Sequence, residues 1–289
     1  MVISFAINLR QTIRIATGKE LLGCGLNNMV PYKGDKEFLH KIFTEFGIGG
    51  FHHVRFDSTS EALLESGLGA SAAGAVATVG AINRALKLNM TKGEVALKAW
   101  EIEVEKIGLY GGKQDQFASA FGGVNAITFS DLQVEVNPIL PNFTINVEPY
   151  LVLLHTGSNR KSPIIQESFK QLDLGQIEYL DNIKDIAEQS LKPLSDGDME
   201  KVGDLLNKSY ENKKKSNSKS TTPRIDKLFI KAKKYGSLGG KICGAGGGGF
   251  MVHLVEPDKR QSFIENMENE ACDWWDFSLD YNGLETRVL

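Results

Sequence analysis

Two glycine-rich segments constrain this chain more than any other feature: GLGASAAGA from Gly67 and GAGGGGF from Gly244. Glycine lets a backbone approach an anion where any side chain would intrude. After Gly67, the residues Ala72, Val76, Val79, Ile82 and Leu86 recur at helical spacing. The amides of Gly67 to Ser71 are therefore predicted to point out of a helix N-terminus, whose partial positive charge suits a triphosphate. The second segment lies between KIC and FMVHLV, two short apolar runs that read as strands, so a loop joining paired strands is predicted there. Together the segments read as two walls of one phosphate pocket.

Both segments formally satisfy the dinucleotide pattern, Gly67-Gly69-Ala72 in one and Gly244-Gly246-Gly249 in the other. That fold needs a strand before the glycines, a helix after them and an acid about 20 residues on. EALLES before Gly67 is a poor strand, no carboxylate follows the Ala-rich helix until Glu94, and Gly244 leads into a strand. No G-x-x-x-x-G-K-[ST] occurs either, which sets the P-loop ATPases aside.

A chain of 289 residues, 42% hydrophobic and 24% charged, can bury a substantial core in two domains or one large one. A formal charge of −3 gives no general attraction for nucleic acid or an anionic membrane, and neither is expected as a partner. No apolar run is long enough to span a bilayer, and no signal peptide is recognised. Cys24, Cys243 and Cys272 have no motif spacing, which favours a reducing compartment over a zinc site. The expected location is cytoplasmic.

The chain opens on MVISFAINLRQTIRIATG, one or two strands, followed by polar or glycine-bearing loops to about Phe51. A second helix is predicted from Lys92 to about Ile107, with Thr91 as N-cap and Glu94 completing a capping box. GLYGG breaks it, a short helix starts at Gln114, and VNAITFS and NVEPYLVLLHT read as strands. The domain boundary is placed between residues 145 and 146. Helices are predicted across 163–190 and 197–214, then a connection ENKKKSNSKSTTPR, a helix from Ile225 to about Tyr235, and a closing hairpin turning at Asn282-Gly283.

Glu103 lies in line with Ala96, Ala99, Trp100 and Ile107, the core-facing positions of the second helix. It is either a surface glutamate bordering the apolar stripe or a buried acid whose partner is a magnesium ion, which takes hard oxygen ligands. Ser71 at the helix mouth offers a second oxygen. Asp115 follows across the glycine break. It either caps the short helix or takes the proton of an attacking hydroxyl during in-line transfer from a γ-phosphate.

GLGASAA resembles the second motif of the GHMP kinases, and KICGAGGGGF resembles their third, in the same order and separation. The stretch IEVEKIGLYGGKQDQFASAFGGVNAI, with TGSNRKS and SYENKKKSNS, resembles the heptose 7-phosphate kinase branch of that family. The resemblance implies an α/β (α+β two-domain) enzyme with an N-terminal domain like that of ribosomal protein S5 and a ferredoxin-like C-terminal domain. ATP would lie in the cleft between them. It implies an ATP- and Mg2+-dependent kinase acting on a sugar or sugar phosphate. Gly67, Leu68, Gly69, Ala70, Ser71 and Ala72 match the phosphate loop, with Ser71 and Glu103 at its metal positions and Asp115 at the catalytic aspartate. Gly246 and Gly247 match the third motif on the substrate side, and Arg160 falls where the branch places a basic residue facing the sugar phosphate. Arg160 also reads as a solvated loop arginine, and Lys213 to Lys215 as a solvated helix end.

The family's Ser-Ser after GLG is Ala70-Ser71 here. VISFAIN resembles the strand that follows the family's first motif, so the R-x-P-x-R…GGGTD segment is expected to be absent. The exposed sheet edge is then expected to pair with a second copy as a homodimer, or to leave a loosened domain that positions sugar poorly. A catalytically silent sugar sensor of the same fold, or a kinase for another small alcohol, are the alternatives.

Overall fold

The computed structural model describes residues 1–17, 36–48, 54–61, 66–109, 111–131, 133–139, 147–158 and 173–288. Along the chain run β1 (Val2–Phe5), β2 (Gln11–Thr17), α1 (Lys36–Glu45), β3 (Val54–Ser60), α2 (Ala70–Leu86), α3 (Lys92–Trp100) and α4 (Gln114–Phe121). Then follow β4 (Val124–Phe129), β5 (Val134–Pro138), β6 (Leu151–His155), α5 (Leu174–Asp196), α6 (Met199–Ser216) and α7 (Pro223–Lys234). The order closes with β7 (Ser237–Ile242), β8 (Phe250–Val255), α8 (Arg260–Glu268) and β9 (Asp273–Trp275). The chain divides into two compact units, one of Met1–Phe5, Leu64–Leu68 and Val124–Leu279, the other of Ala6–Leu63, Gly69–Gly123 and Asp280–Leu289.

The first unit holds an antiparallel sheet in the order β7-β8-β6-β9 and a smaller sheet β1-β4-β5. Successive residues of a strand face opposite sides, and both sides of the larger sheet are apolar. Val152, Leu154, Ile242, Met251 and Val255 pack against Ile225 and Leu228 of α7 and Phe263 and Met267 of α8. Their neighbours Leu151 and Leu254 join Leu194, Met199 and Val202 in a second cluster. β7 lies at the end of the sheet, where unpaired backbone groups need cover. α6 provides it: the Asn207 amide donates to the Leu238 carbonyl (3.3 Å) and accepts from Gly240 N–H (3.1 Å). This closeness requires glycine, since a Cβ on Gly239 would fall 2.0 Å from the Gly203 carbonyl oxygen.

In the second unit, β2 and β3 form an antiparallel pair, and α2 packs on β2, α3 and α4. α2 buries Ala72, Val76, Val79 and Ile82 of the face that the sequence predicts, with Ala75 added, while Leu86 at its end is largely exposed. α3 starts at the Thr91–Glu94 capping box. Past Trp100 the helix continues as a π-helix over Glu101–Lys106, a feature often found at functional sites. Trp100 then fixes the glycine break, donating from its indole to the Gly111 carbonyl (3.3 Å) with the Lys113 ammonium 4.4 Å above its ring.

Three readings need correction, and one helix is added. The stretch to Phe51 includes α1, whose Leu39, Ile42 and Phe43 are buried. α6 continues through the lysines to Ser216, so the connection shortens to a turn in which the Asn217 side chain accepts from Lys219 N–H. The C-terminus is not a hairpin: β9 pairs with β6, and the Asp280 carboxylate accepts from the amides of Asn282 and Gly283 in a local turn. The helix over 260–268 was not anticipated. The predicted helix over 163–190 is described from Leu174 onward; its earlier part lies outside the described residues.

Candidate active site at a helix mouth

The N-terminus of α2 has no side-chain cap from its own N-cap residue. Its N-cap is Gly69, in the left-handed region (φ 71°), which offers no side-chain acceptor, and the first turn carries no acid. The first intrahelical bond runs from Ala73 N–H to the Gly69 carbonyl (2.9 Å). The amides of Ala70, Ser71 and Ala72 therefore keep donors that a helix cannot satisfy internally, at its electropositive end.

Three polar side chains meet in this unit. The Ser71 hydroxyl donates to Glu103 Oε1 (2.9 Å), and the Gln116 amide donates to Glu103 Oε2 (2.7 Å). Glu103 is 4% exposed, so the surface reading of this glutamate falls. Burial pushes its carboxyl above the usual range, the donors Gln116 and Ser71 pull it back, and the negative charge of Asp115 pushes it up again. Asp115 itself, on the first turn of α4, lies against Gly69: a Cβ there would sit 3.4 Å from the Asp115 Cβ and Cγ. The structure thus brings Gly69, Ala70, Ser71, Ala72, Glu103 and Asp115 together. Gln116 was missed, because in KQDQF nothing local marks one glutamine as buried.

The second glycine segment is built differently, in the other unit with Gly67 and Leu68. Gly247 N–H donates to the Ser220 carbonyl (2.6 Å), Gly249 N–H to the Ser158 carbonyl (2.7 Å), and Phe250 N–H to the Ser66 carbonyl (3.0 Å). The Lys213 ammonium donates to the Gly244 carbonyl, which replaces the reading of that lysine as a solvated helix end. Backbone crosses backbone throughout. A Cβ on Gly249 would lie 2.1 Å from the Ser66 carbonyl oxygen, and one on Gly67 would lie 2.9 Å from that of Cys243. Gly67 thus precedes the helix and packs on the second segment. Arg160 lies outside the described residues.

Magnesium fits the helix-mouth residues. Glu103 and Ser71 supply hard oxygens, and Gln116 Oε1 is a buried acceptor without a partner among the described residues. No group of three or more His, Cys, Asp or Glu gathers among the described residues. Magnesium itself needs only one or two protein groups beside substrate phosphates and water. No described helix is long and apolar enough to cross a membrane.

Comparison with known proteins places the chain in a family. Residues 36–123 match the family model of the GHMP kinases N terminal domain, and residues 181–273 match that of the GHMP kinases C terminal region. The D-glycero-alpha-D-manno-heptose 7-phosphate kinase of Campylobacter jejuni is 32% identical over 76% of this chain and 67% of its own length. A galactokinase of Thermotoga neapolitana is 28% identical over 81% of this chain and 74% of its own. The crystal structure of a D-glycero-D-manno-heptose 1-phosphate kinase from Bacteroides thetaiotaomicron superposes with a TM-score of 0.73, covering 99% of this chain and 90% of that one at 23% identity. Two family models, a relative at this level of identity and the shared fold lead to one conclusion: the chain belongs to the GHMP kinase family.

Proposed function

We propose that this GHMP-family sugar kinase transfers the γ-phosphate of ATP to a hydroxyl of a sugar phosphate, most like heptose 7-phosphate, at the mouth of α2. The observation that carries this reading is the uncapped helix N-terminus with Asp115 and Glu103 beside it. The amides of Ala70 to Ala72 bind phosphate oxygens. Asp115 orients the acceptor hydroxyl and takes its proton as the hydroxyl oxygen bonds to the γ-phosphorus and the bond to ADP breaks. Glu103 and Ser71 would hold magnesium, which supplies positive charge to the phosphates.

Gly246 and Gly247 support the acceptor side, and Arg160 is assigned to the acceptor's phosphate. The amide of Gly247 is already bonded to Ser220, so its contribution is the shape of the loop. Similarity to the heptose 7-phosphate kinase supports a phosphorylated acceptor, and similarity to galactokinase supports the second reading, an unphosphorylated hexose. The test is a MgATP turnover screen across heptose phosphates, hexoses, hexose phosphates and mevalonate. Preferred turnover of a heptose phosphate is expected. Preference for a free hexose would move the substrate to the second reading, and no turnover with any sugar would overturn the proposal.

A further inference from the structure

Glu103 is held by donors on both of its oxygens, and the donor from α4 is Gln116. Gln116 is 5% exposed, so its amide cannot swing away to solvent. Its orientation is also fixed by chemistry. Turning the amide over would set Oε1 against Glu103 Oε2, two acceptors facing each other, so the nitrogen must face the carboxylate. The consequence is that Oε1 is buried without a partner among the described residues. An unsatisfied buried oxygen costs roughly 1–3 kcal/mol until a donor reaches it, and native structures keep few such atoms without reason.

We propose that Gln116 is a positioning residue that sets the cation preference of this site, fixing Glu103 for magnesium against calcium and offering Oε1 to water that the ion retains. The inference rests on the assignment of Glu103 to the metal made above. Calcium takes more oxygens in a flexible arrangement, often with a carboxylate free to rotate to both-oxygen contact; magnesium demands a fixed geometry and keeps several waters. A carboxylate pinned by Ser71 and Gln116 cannot rotate, which penalises the larger ion. Bound water has protons to donate, and an acceptor such as Gln116 Oε1 meets that need. Nothing local in the sequence distinguishes this residue from the solvated Gln114 two positions earlier.

The experiment is calorimetry on the full chain, giving the affinities for Mg·ADP and Ca·ADP in the unaltered protein and in Gln116→Met, which keeps the volume and removes the donor and the acceptor. Gln116→Asn is the second variant if Gln116→Met does not fold, since it retracts the amide by one methylene. The preference for Mg·ADP over Ca·ADP is expected to narrow about tenfold, the size of effect typical of a residue that orients a ligand. A merely structural role would weaken both complexes alike. An unchanged ratio in a folded variant overturns the inference. Glu103→Gln serves as the control: if it weakens Mg·ADP while the Gln116 variants keep the ratio, only this inference fails. If it changes nothing, the metal assignment itself fails and takes this inference with it.

Discussion

The two glycine segments share composition and differ in use. At the mouth of α2 the left-handed N-cap, Gly69, meets a side chain, that of Asp115, and leaves three amides of the following turn unbonded within the helix, whereas Gly67 of the same segment meets the backbone of Cys243. In the segment from Gly244 the glycines meet backbone: Gly246 abuts Ser220 and Gly249 abuts Ser66, while the amides of Gly247 and Gly249 are spent on carbonyls. Glycine thus leaves helix-mouth amides unbonded at Gly69 and lets chains cross at Gly67, Gly246 and Gly249. A motif that is conspicuous for its glycines need not be the one that presents amides.

The comparison can be broken by substitution. The largest expected effect is on turnover: Asp115→Asn should lower kcat by roughly 10³-fold with the affinity for ATP nearly kept. Steady-state kinetics beside calorimetry separates the two. A loss of ATP affinity equal to the loss of kcat would make Asp115 a binding residue instead. Next, Gly249→Ala should destabilise the first unit by more than about 3 kcal/mol, from a clash with the Ser66 carbonyl added to a strained φ. Chemical denaturation reads this directly, and a change below about 1 kcal/mol would refute the chain-crossing role.

A third expectation concerns the sheet beneath the second segment. His253 on β8 is fully buried, with Nδ1 bonded to Ser237 Oγ (2.9 Å), and burial lowers its value from 6.5 to about 3. The folded chain therefore binds this proton less readily than the unfolded chain. The associated stability is present above the unfolded value and is lost as the pH falls below 6.5. Between pH 7 and pH 5 the loss should be about 2 kcal/mol. His253→Leu should flatten that part of the stability profile; an unchanged acid limb would contradict it. The smallest effect is expected at Gly69→Ala, about 1–2 kcal/mol from the left-handed φ alone, since the added Cβ meets Asp115 at ordinary contact distance. If Gly69→Ala cost more than Gly249→Ala, the contrast between the segments would be reversed.

What the sequence disclosed was whatever is local. The capping box at Thr91 and Glu94 needs only spacing, whereas the periodic face left Glu103 open between surface and core, and only the fold buries it. Helix α1 carried the same signal in Leu39, Ile42 and Phe43, but flanking glycines such as Gly34, Gly47 and Gly49 drew the reading toward loops. The false hairpin at Asn282-Gly283 shows the converse. A turn sequence predicts a turn, whereas pairing depends on a partner strand, and β9 finds its partner in β6 far along the chain. Gln116 and Lys213 act through residues distant in sequence, so neither could be singled out before the fold was in view.

The most direct measurement is amide hydrogen exchange read residue by residue, with and without a non-hydrolysable ATP analogue and magnesium. The amides of Ala70, Ser71 and Ala72 should exchange readily in the free protein and become protected when the nucleotide binds. Those of Gly247 and Gly249 should be protected in both states, because each is already bonded to a carbonyl. The account is contradicted if the helix-mouth amides are protected without ligand, or if nucleotide protects Gly247 and Gly249 while leaving Ala70 to Ala72 unchanged.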